Sequence, residues 1–247
     1  MLRNGLVISI DFACTLFWEP GCDPRYTPRC IADLLEKLLE KARKMGYSPH
    51  RIHMGDLYEF YKKIRTRVEK RGSSREVWYK YILLKLLYGL NVRIKPHELD
   101  DLYEWFIDKR VECFMPMRDS RSLLEYLKGM GYTVVLTTAT ASHDFIIRVL
   151  EKYGYIEYFD LVYSTQLVGI PKENPDFYRE LVDLLGVEPY RIVHIGDSLE
   201  HDIISARRAG LKTIYYGWRT MCRAADPQPC VTSLSEIPLV LPTISTH

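Results

Sequence analysis

Short apolar runs, too brief for helices and too continuous for half-exposed strands, constrain this chain most. Leu6 to Ile10, Thr133 to Thr137 and Arg191 to Ile195 are largely β-branched or apolar, the pattern of strands buried on both faces. Leu161-Val162-Tyr163 and Thr213 to Tyr216 are two further candidates, each following a helical stretch. Helix periodicity fills the intervals at Ser120 to Met130, Phe145 to Tyr153, Pro175 to Leu185 and Asp202 to Ala209. Strand alternating with helix implies an α/β fold, a parallel sheet with helices on both faces. Gly131, Gly186 and Gly210 stand where C-cap glycines belong.

The segment from Cys22 to Cys113 breaks this rhythm. Helical stretches are expected at Ile31 to Met45, Met54 to Lys70, Ser74 to Tyr88 and Pro96 to Arg110, with no convincing strand. A helical block after the first strand reads as an insertion, a small bundle over the carboxyl edge of the sheet. Its aromatics (Tyr58, Tyr61, Trp78, Tyr79, Tyr81, Tyr103, Trp105) read mostly as bundle core. The tail from Arg223 through Pro227, Pro229 and Pro238 reads as loop with at most one more short strand.

A chain of 247 residues, 47% hydrophobic and 27% charged, fits a globular protein with a sizeable core. Its net charge of +2 gives no reason to expect nucleic acid, and Lys62, Lys63, Arg65 and Arg67 read as a solvated helix face. No apolar run is long enough for a bilayer; Tyr81 to Leu90 is interrupted by Lys85. The N-terminus runs straight into a buried strand and lacks a signal-peptide shape, so the expected location is cytoplasmic. The six cysteines contain no Cys-x-x-Cys pair and are read as structural thiols. Disulfides are the alternative, because Asn and Gln are scarce beside Lys, Arg and Glu, as in thermophile chains, some of which keep intracellular disulfides.

Ligands of such sheets bind beyond the carboxyl ends of the strands. There the sequence places Asp11-Phe12-Ala13-Cys14-Thr15, Thr137-Thr138, Pro171-Lys172-Glu173-Asn174-Pro175 and Gly196-Asp197-Ser198, with Asp202 five residues beyond Asp197. Each fits phosphoryl chemistry. Asp11 on a rigid strand end is a competent nucleophile toward phosphorus. Attack of anion on anion needs cations, and Mg²⁺ held by Asp11 and Asp197 would neutralise the approach. Lys172 would hold carboxylate and phosphate together, and Thr138 would donate to a phosphate oxygen. Singly, each reads more readily as a cap, a packed strand residue or a solvated lysine; their joint order reverses that judgement.

These segments resemble the haloacid dehalogenase-like (HAD superfamily) hydrolases. Ile8 to Leu16 resembles the first motif, Val134 to Thr138 the second, and Lys172 with Pro175 and Tyr178 the third. His194-Ile195-Gly196-Asp197-Ser198, then Asp202, Ala206, Ala209 and Gly210, resembles the fourth; Ala225-Asp226, Val231, Leu234 and Ile237 resemble the family's ending. The resemblance implies a Rossmann-like parallel sheet core at 1–20 and 114–247, with an inserted C1-type α-helical cap at 21–113. It implies Asp11 as nucleophile and metal ligand, and phosphate binding by Thr138, Ala139 and Lys172. The Mg²⁺ set is Asp11, Asp197, the backbone carbonyl of Ala13, and Asp202 as a supporting carboxylate. The partner is a small-molecule substrate, with no membrane and the oligomeric state open.

The sequence departs from the family at Ala13, where phosphatases carry the aspartate that protonates the leaving alcohol and later activates water. Cys14 replaces the usual glycine, and Ala139 the usual asparagine. General acid-base help contributes ~10²–10⁴ in rate, so Ala13 points to substrates with good leaving groups or to a borrowed acid such as His143, His201 or a cap residue. A 2-haloacid dehalogenase, a phosphonoacetaldehyde hydrolase using Lys62 or Lys63, and a weakly catalytic phosphate-binding or interaction protein are the alternatives.

Overall fold

The computed structural model describes residues 5–19, 22, 29–71, 79–140, 142–219, 221–223 and 226–245. Its centre is a six-stranded sheet of β1 (Val7–Asp11), β4 (Thr133–Thr138), β5 (Leu161–Ser164), β6 (Ile192–Gly196), β7 (Lys212–Tyr216) and β8 (Cys230–Val231). The spatial order is β5-β4-β1-β6-β7-β8, and every neighbouring pair is parallel. Across the sheet these strands run third, second, first, fourth, fifth, sixth in chain order, the doubly wound arrangement. All five residues of β1 and of β6 are buried, which is why both are apolar almost without interruption.

Four helices lie between two short strands, β2 (Phe17–Trp18) and β3 (Met115–Pro116), which pair antiparallel. They are α1 (Arg29–Lys44), α2 (Met54–Arg71), α3 (Tyr79–Gly89) and α4 (Pro96–Val111). Leu34, Leu35, Leu38, Leu39 and Ala42 bury one face of α1; Ile82, Leu83, Leu86 and Leu87 do so for α3. Tyr61, Tyr79 and Phe106 line the interior as a ring-on-ring series, whereas Tyr81 is 45% exposed. The start of the expected helix at Ser74 and the aromatic Trp78 lie outside the described residues.

The core helices are α5 (Ser120–Gly129), α6 (His143–Lys152), α7 (Thr165–Val168), α8 (Asp176–Leu185), α9 (Ser205–Arg208) and α10 (Ile237–Ser245). Ser142 caps α6 by accepting from Phe145 N at 3.3 Å, and Gly186 ends α8 in the left-handed conformation, φ 62°. Helix α4 meets α6 through polar contacts. Tyr103 Oη and Ser142 Oγ are 3.2 Å apart, and Arg148 reaches Glu104 and Asp108 at 2.5 Å each.

Three readings of the sequence are corrected. All six cysteines are paired, as Cys14–Cys22, Cys30–Cys113 and Cys222–Cys230, rather than free thiols. Spacing could not foretell the second bridge: packing of α1 on α4 brings the start of one helix to the end of the other. The tail carries the anticipated strand, β8, but also helix α10, because Pro238 falls in its first turn, where no backbone N–H is required. The helix expected over Asp202 to Ala209 begins earlier, as a wide π-helical turn Leu199–Ile204 that passes into α9. Among the described residues no helix is long and apolar enough to cross a membrane.

Candidate active site

The sheet order reverses at β1, between β4 and β6, and the site is built at the carboxyl ends of these strands. Register does most of the positioning. Asp11 pairs with Thr137 on β4 and Ile10 with Ile195 on β6, so Asp11 closes β1 with Thr138 and Asp197 one or two residues beyond its neighbours. Oxygens of Asp11, Asp197 and Asp202 lie within 4.8 Å of one another, a group able to hold a metal ion.

Asp202 reaches this group through the π-helical turn. Its Oδ2 accepts from Ser198 N at 2.8 Å, folding the carboxylate back over Gly196. A Cβ at residue 196 would lie inside the Asp202 carboxyl group, so only glycine permits the closure.

Lys172 comes from the loop after α7 and is 1% exposed. Its Nζ lies 2.5 Å from Asp11 Oδ1, 2.6 Å from Asp202 Oδ1 and 3.3 Å from Thr137 O. An ammonium has three N–H donors, and these three acceptors use them all. Burial alone would lower the Lys172 pKa, but Asp11 and Asp202 outweigh it and hold the group charged. Burial, opposed by Lys172 and reinforced by Asp202 and Asp197, pushes Asp11 up to about 8. Asp202 goes the other way: against burial, Lys172 and His194 hold its carboxyl well below the usual range.

Beneath Asp202 lies a buried polar chain. His194 Nε2 is 3.2 Å from Asp202 Oδ1 and 3.0 Å from Tyr178 Oη, while Nδ1 is 2.8 Å from Ser9 Oγ. Tyr178 donates its own proton to His201 O at 2.9 Å, so the proton shared with the ring belongs to Nε2. Ser9 then donates to Nδ1. Burial lowers the His194 pKa and keeps the ring neutral.

The sequence-read residues take these places. Asp11, Lys172, Asp197 and Asp202 are brought together. Thr138 ends β4 and is 1% exposed; Ala139 follows and is exposed. Ala13 forms a bridge to Phe17 and packs against the apolar core. Cys14 adopts φ 62°, the left-handed conformation that suits the glycine it replaces, and is bonded to Cys22. Of the proposed substitute acids, His143 Nδ1 lies 2.9 Å from Ser164 Oγ, and His201 Nε2 lies 3.9 Å from Glu173 Oε2. Lys62 and Lys63 are both exposed on α2. Arg219, which the sequence reading missed, places Nη2 2.8 Å from Asp197 Oδ2. Its signal was its position just past β7, the strand beside β6.

A family model described as haloacid dehalogenase-like hydrolase matches residues 31–210. The chain belongs to the haloacid dehalogenase-like hydrolases. This hydrolase is 32% identical over 118 residues to a probable phosphatase, IndB, of Dickeya dadantii, covering 46% of this chain and 50% of that protein. It is 26% identical over 159 residues to a glyceraldehyde 3-phosphate phosphatase of Methanopyrus kandleri, covering 63% and 65%. The chain thus spans half to about two-thirds of the length of these curated relatives. Among solved structures, a 2-haloacid dehalogenase from Pseudomonas syringae pv. Tomato DC3000 has the same fold, with TM-score 0.70, 22% identity and coverage of 96% and 98%.

Proposed function

We propose that this hydrolase is a Mg²⁺-dependent phosphatase acting on a small phosphorylated molecule through an aspartyl-phosphate at Asp11. The observation that carries the reading is the convergence of Asp11, Asp197 and Asp202 within 4.8 Å, with Lys172 between two of them. Three converging carboxyl groups offer oxygen ligands, which suit a hard divalent cation. Asp11 and Asp197, helped by the Ala13 carbonyl and Asp202, would hold Mg²⁺, which supplies charge neutralisation for an anionic substrate.

In this reading the Asp11 carboxylate attacks phosphorus, the bond to the leaving oxygen breaks, and the leaving group departs. Water then attacks phosphorus of the aspartyl-phosphate, releasing phosphate and restoring Asp11. Lys172 keeps Asp11 oriented, and Thr138 with the Ala139 backbone faces the phosphate oxygens. With Ala13 unable to give a proton, the favoured substrates are those whose leaving group needs none, such as acyl or aryl phosphates. Residues 1–20 and 114–247 form the catalytic core, and the helices within 21–113 form the cap that shapes substrate access. The phosphatase names of the two curated relatives support this reading.

The test is turnover of an acyl or aryl phosphate. The reading expects activity that requires Mg²⁺ and disappears in Asp11→Asn. Metal-free halide release from a 2-haloacid would replace it with a dehalogenase, and tight phosphate binding without turnover on any panel would replace it with a binding protein.

A further inference from the structure

We infer that Arg219 is a tethered counter-cation: it holds Asp197 while the metal is absent and passes to a phosphate oxygen of the substrate once the metal takes that carboxylate. The inference rests on the metal-dependent phosphatase reading and assigns that site a second anion-binding cation.

The first support is the donor count at Lys172. Asp11, Asp202 and Thr137 O consume its three protons, so it cannot bind phosphate without abandoning a buried partner. Beyond Thr138 and the Ala139 backbone, a phosphate dianion therefore still lacks a cationic side chain. The second support is the pairing of Asp197. Asp11 and Asp202 share Lys172, whereas Asp197 pairs with Arg219 through a 2.8 Å contact from Nη2. A guanidinium has five N–H donors in a planar fork matched to phosphate, and the ion pair with Asp197 and a place 5.1 Å over the Trp218 ring leave most of them available.

The third support is the loop. Gly217 donates to Val231 O at 2.8 Å, and a Cβ on it would lie 3.0 Å from Cys230 Sγ and 3.5 Å from Cys222 Sγ. The Cys222–Cys230 disulfide and this close packing tie Gly217, two residues before Arg219, to β8. The Arg219 side chain is nevertheless 38% exposed, against 11% for Asp197. An anchored Gly217 with an accessible guanidinium lets the head group change partner. The charge balance has the same sense. A divalent cation on the three ionised carboxylates leaves the cluster, with Lys172 and Arg219, one formal positive charge, which weakens the hold on Arg219 and favours an arriving anion.

The test is calorimetric titration of Mg²⁺, then of inorganic phosphate at saturating Mg²⁺, into the wild type, Arg219→Ala and Arg219→Lys. Removing the competing cation should tighten Mg²⁺ binding in Arg219→Ala by roughly threefold, the scale of a partly exposed ion pair. Phosphate should bind roughly tenfold more weakly to Arg219→Ala, as befits loss of a charge-assisted contact, with Arg219→Lys between. Should Arg219→Ala fail to fold, Arg219→Lys, which keeps the charge, must still weaken phosphate binding. Unchanged or weaker Mg²⁺ binding in a folded Arg219→Ala, or unchanged phosphate binding in both variants, overturns the inference while leaving the phosphatase intact. A wild type that binds no Mg²⁺ overturns both.

Discussion

Lys172 Nζ lies 2.5 Å from Asp11 Oδ1 although 161 residues separate them in the chain. The same nitrogen is 2.6 Å from Asp202 Oδ1, and all three groups are buried. Removing one member of a buried charge cluster costs more than the cluster itself contributes, because the remaining charges stay desolvated and unpaired. Lys172→Met should therefore destabilise the protein by about 3 to 5 kcal/mol and abolish turnover. Urea unfolding monitored by circular dichroism measures the loss, and added Mg²⁺ should recover part of it.

Asp11 gives a pH dependence with a definite sign. Burial is the main cause that raises its pKa from 3.8 to about 8 in the folded protein. A carboxyl raised on folding contributes stability below its unfolded pKa and loses it as pH rises through the folded value. Asp197, raised by burial to about 6, has the same sign, whereas the lowered Asp202 loses its contribution only in more acidic solution. The lowered His194 has the opposite sign below about 6.5, so the metal-free melting temperature should fall as pH rises from about 6.5 to 8, where Asp11 dominates. On the metal-dependent reading, Mg²⁺ binds the charged carboxylates and should restore most at the upper end. Asp11→Asn should remove most of this metal-free decline, because Asp197 titrates below it. Thermal melts across pH, with and without Mg²⁺, measure all three.

Gly196→Ala tests whether the π-helical turn serves the site. The new methyl group and the Asp202 carboxyl cannot occupy the same space, so Asp202 must leave Lys172 and Ser198 N. The expected result is loss of most turnover with retained folding. Phosphate release and circular dichroism on one preparation separate the two. Activity near wild type would show that Asp202 needs no fixed position.

The fold was legible because burial on both faces leaves a plain mark in sequence: β1 and β6 are largely apolar runs, β1 ending in Asp11 and β6 followed directly by Asp197, carboxyl groups that a core would not otherwise tolerate. Asp11, Lys172, Asp197 and Asp202 were legible as a set for the same reason. What escaped depends on three-dimensional closure. Cys30 meets Cys113 only because α1 packs on α4, and residue spacing carries no trace of that. His194 looked like one more strand residue until Ser9, Tyr178 and Asp202 were found around its ring. Helix α10 was hidden by its prolines, since Pro242 within it argues against a helix when read alone.

The Cys30–Cys113 bridge closes a sequence separation of 83 residues that runs from the first turn of α1 through α2 and α3 to just past α4. Constraint of so long a loop in the unfolded chain stabilises by about 4.5 kcal/mol on the chain-entropy account. The Cys30→Ser, Cys113→Ser double variant should lose stability on that scale, measured by guanidinium unfolding under oxidising conditions. The corresponding change at Cys14 and Cys22, with a separation of 8, should cost less, about 2.5 kcal/mol. Equal losses would show that strain or packing outweighs loop closure.

Ala13→Asp asks whether the site lacks only its acid. Ala13 stands two residues past Asp11, beside Phe17 and against the apolar core, so a carboxyl there is partly desolvated and its pKa rises. A raised carboxyl carries its proton near neutrality, as a general acid must, and its conjugate base can then activate water. The gain should depend on the leaving group. An alkyl phosphate, whose alkoxide cannot depart unprotonated, should gain about 10²-fold or more in kcat/KM. An aryl phosphate with an acidic phenol should change little. That contrast distinguishes supplied acid catalysis from a general improvement in folding or metal binding, which would raise both substrates alike. Parallel gains, or none, would mean that the pocket has diverged beyond residue 13.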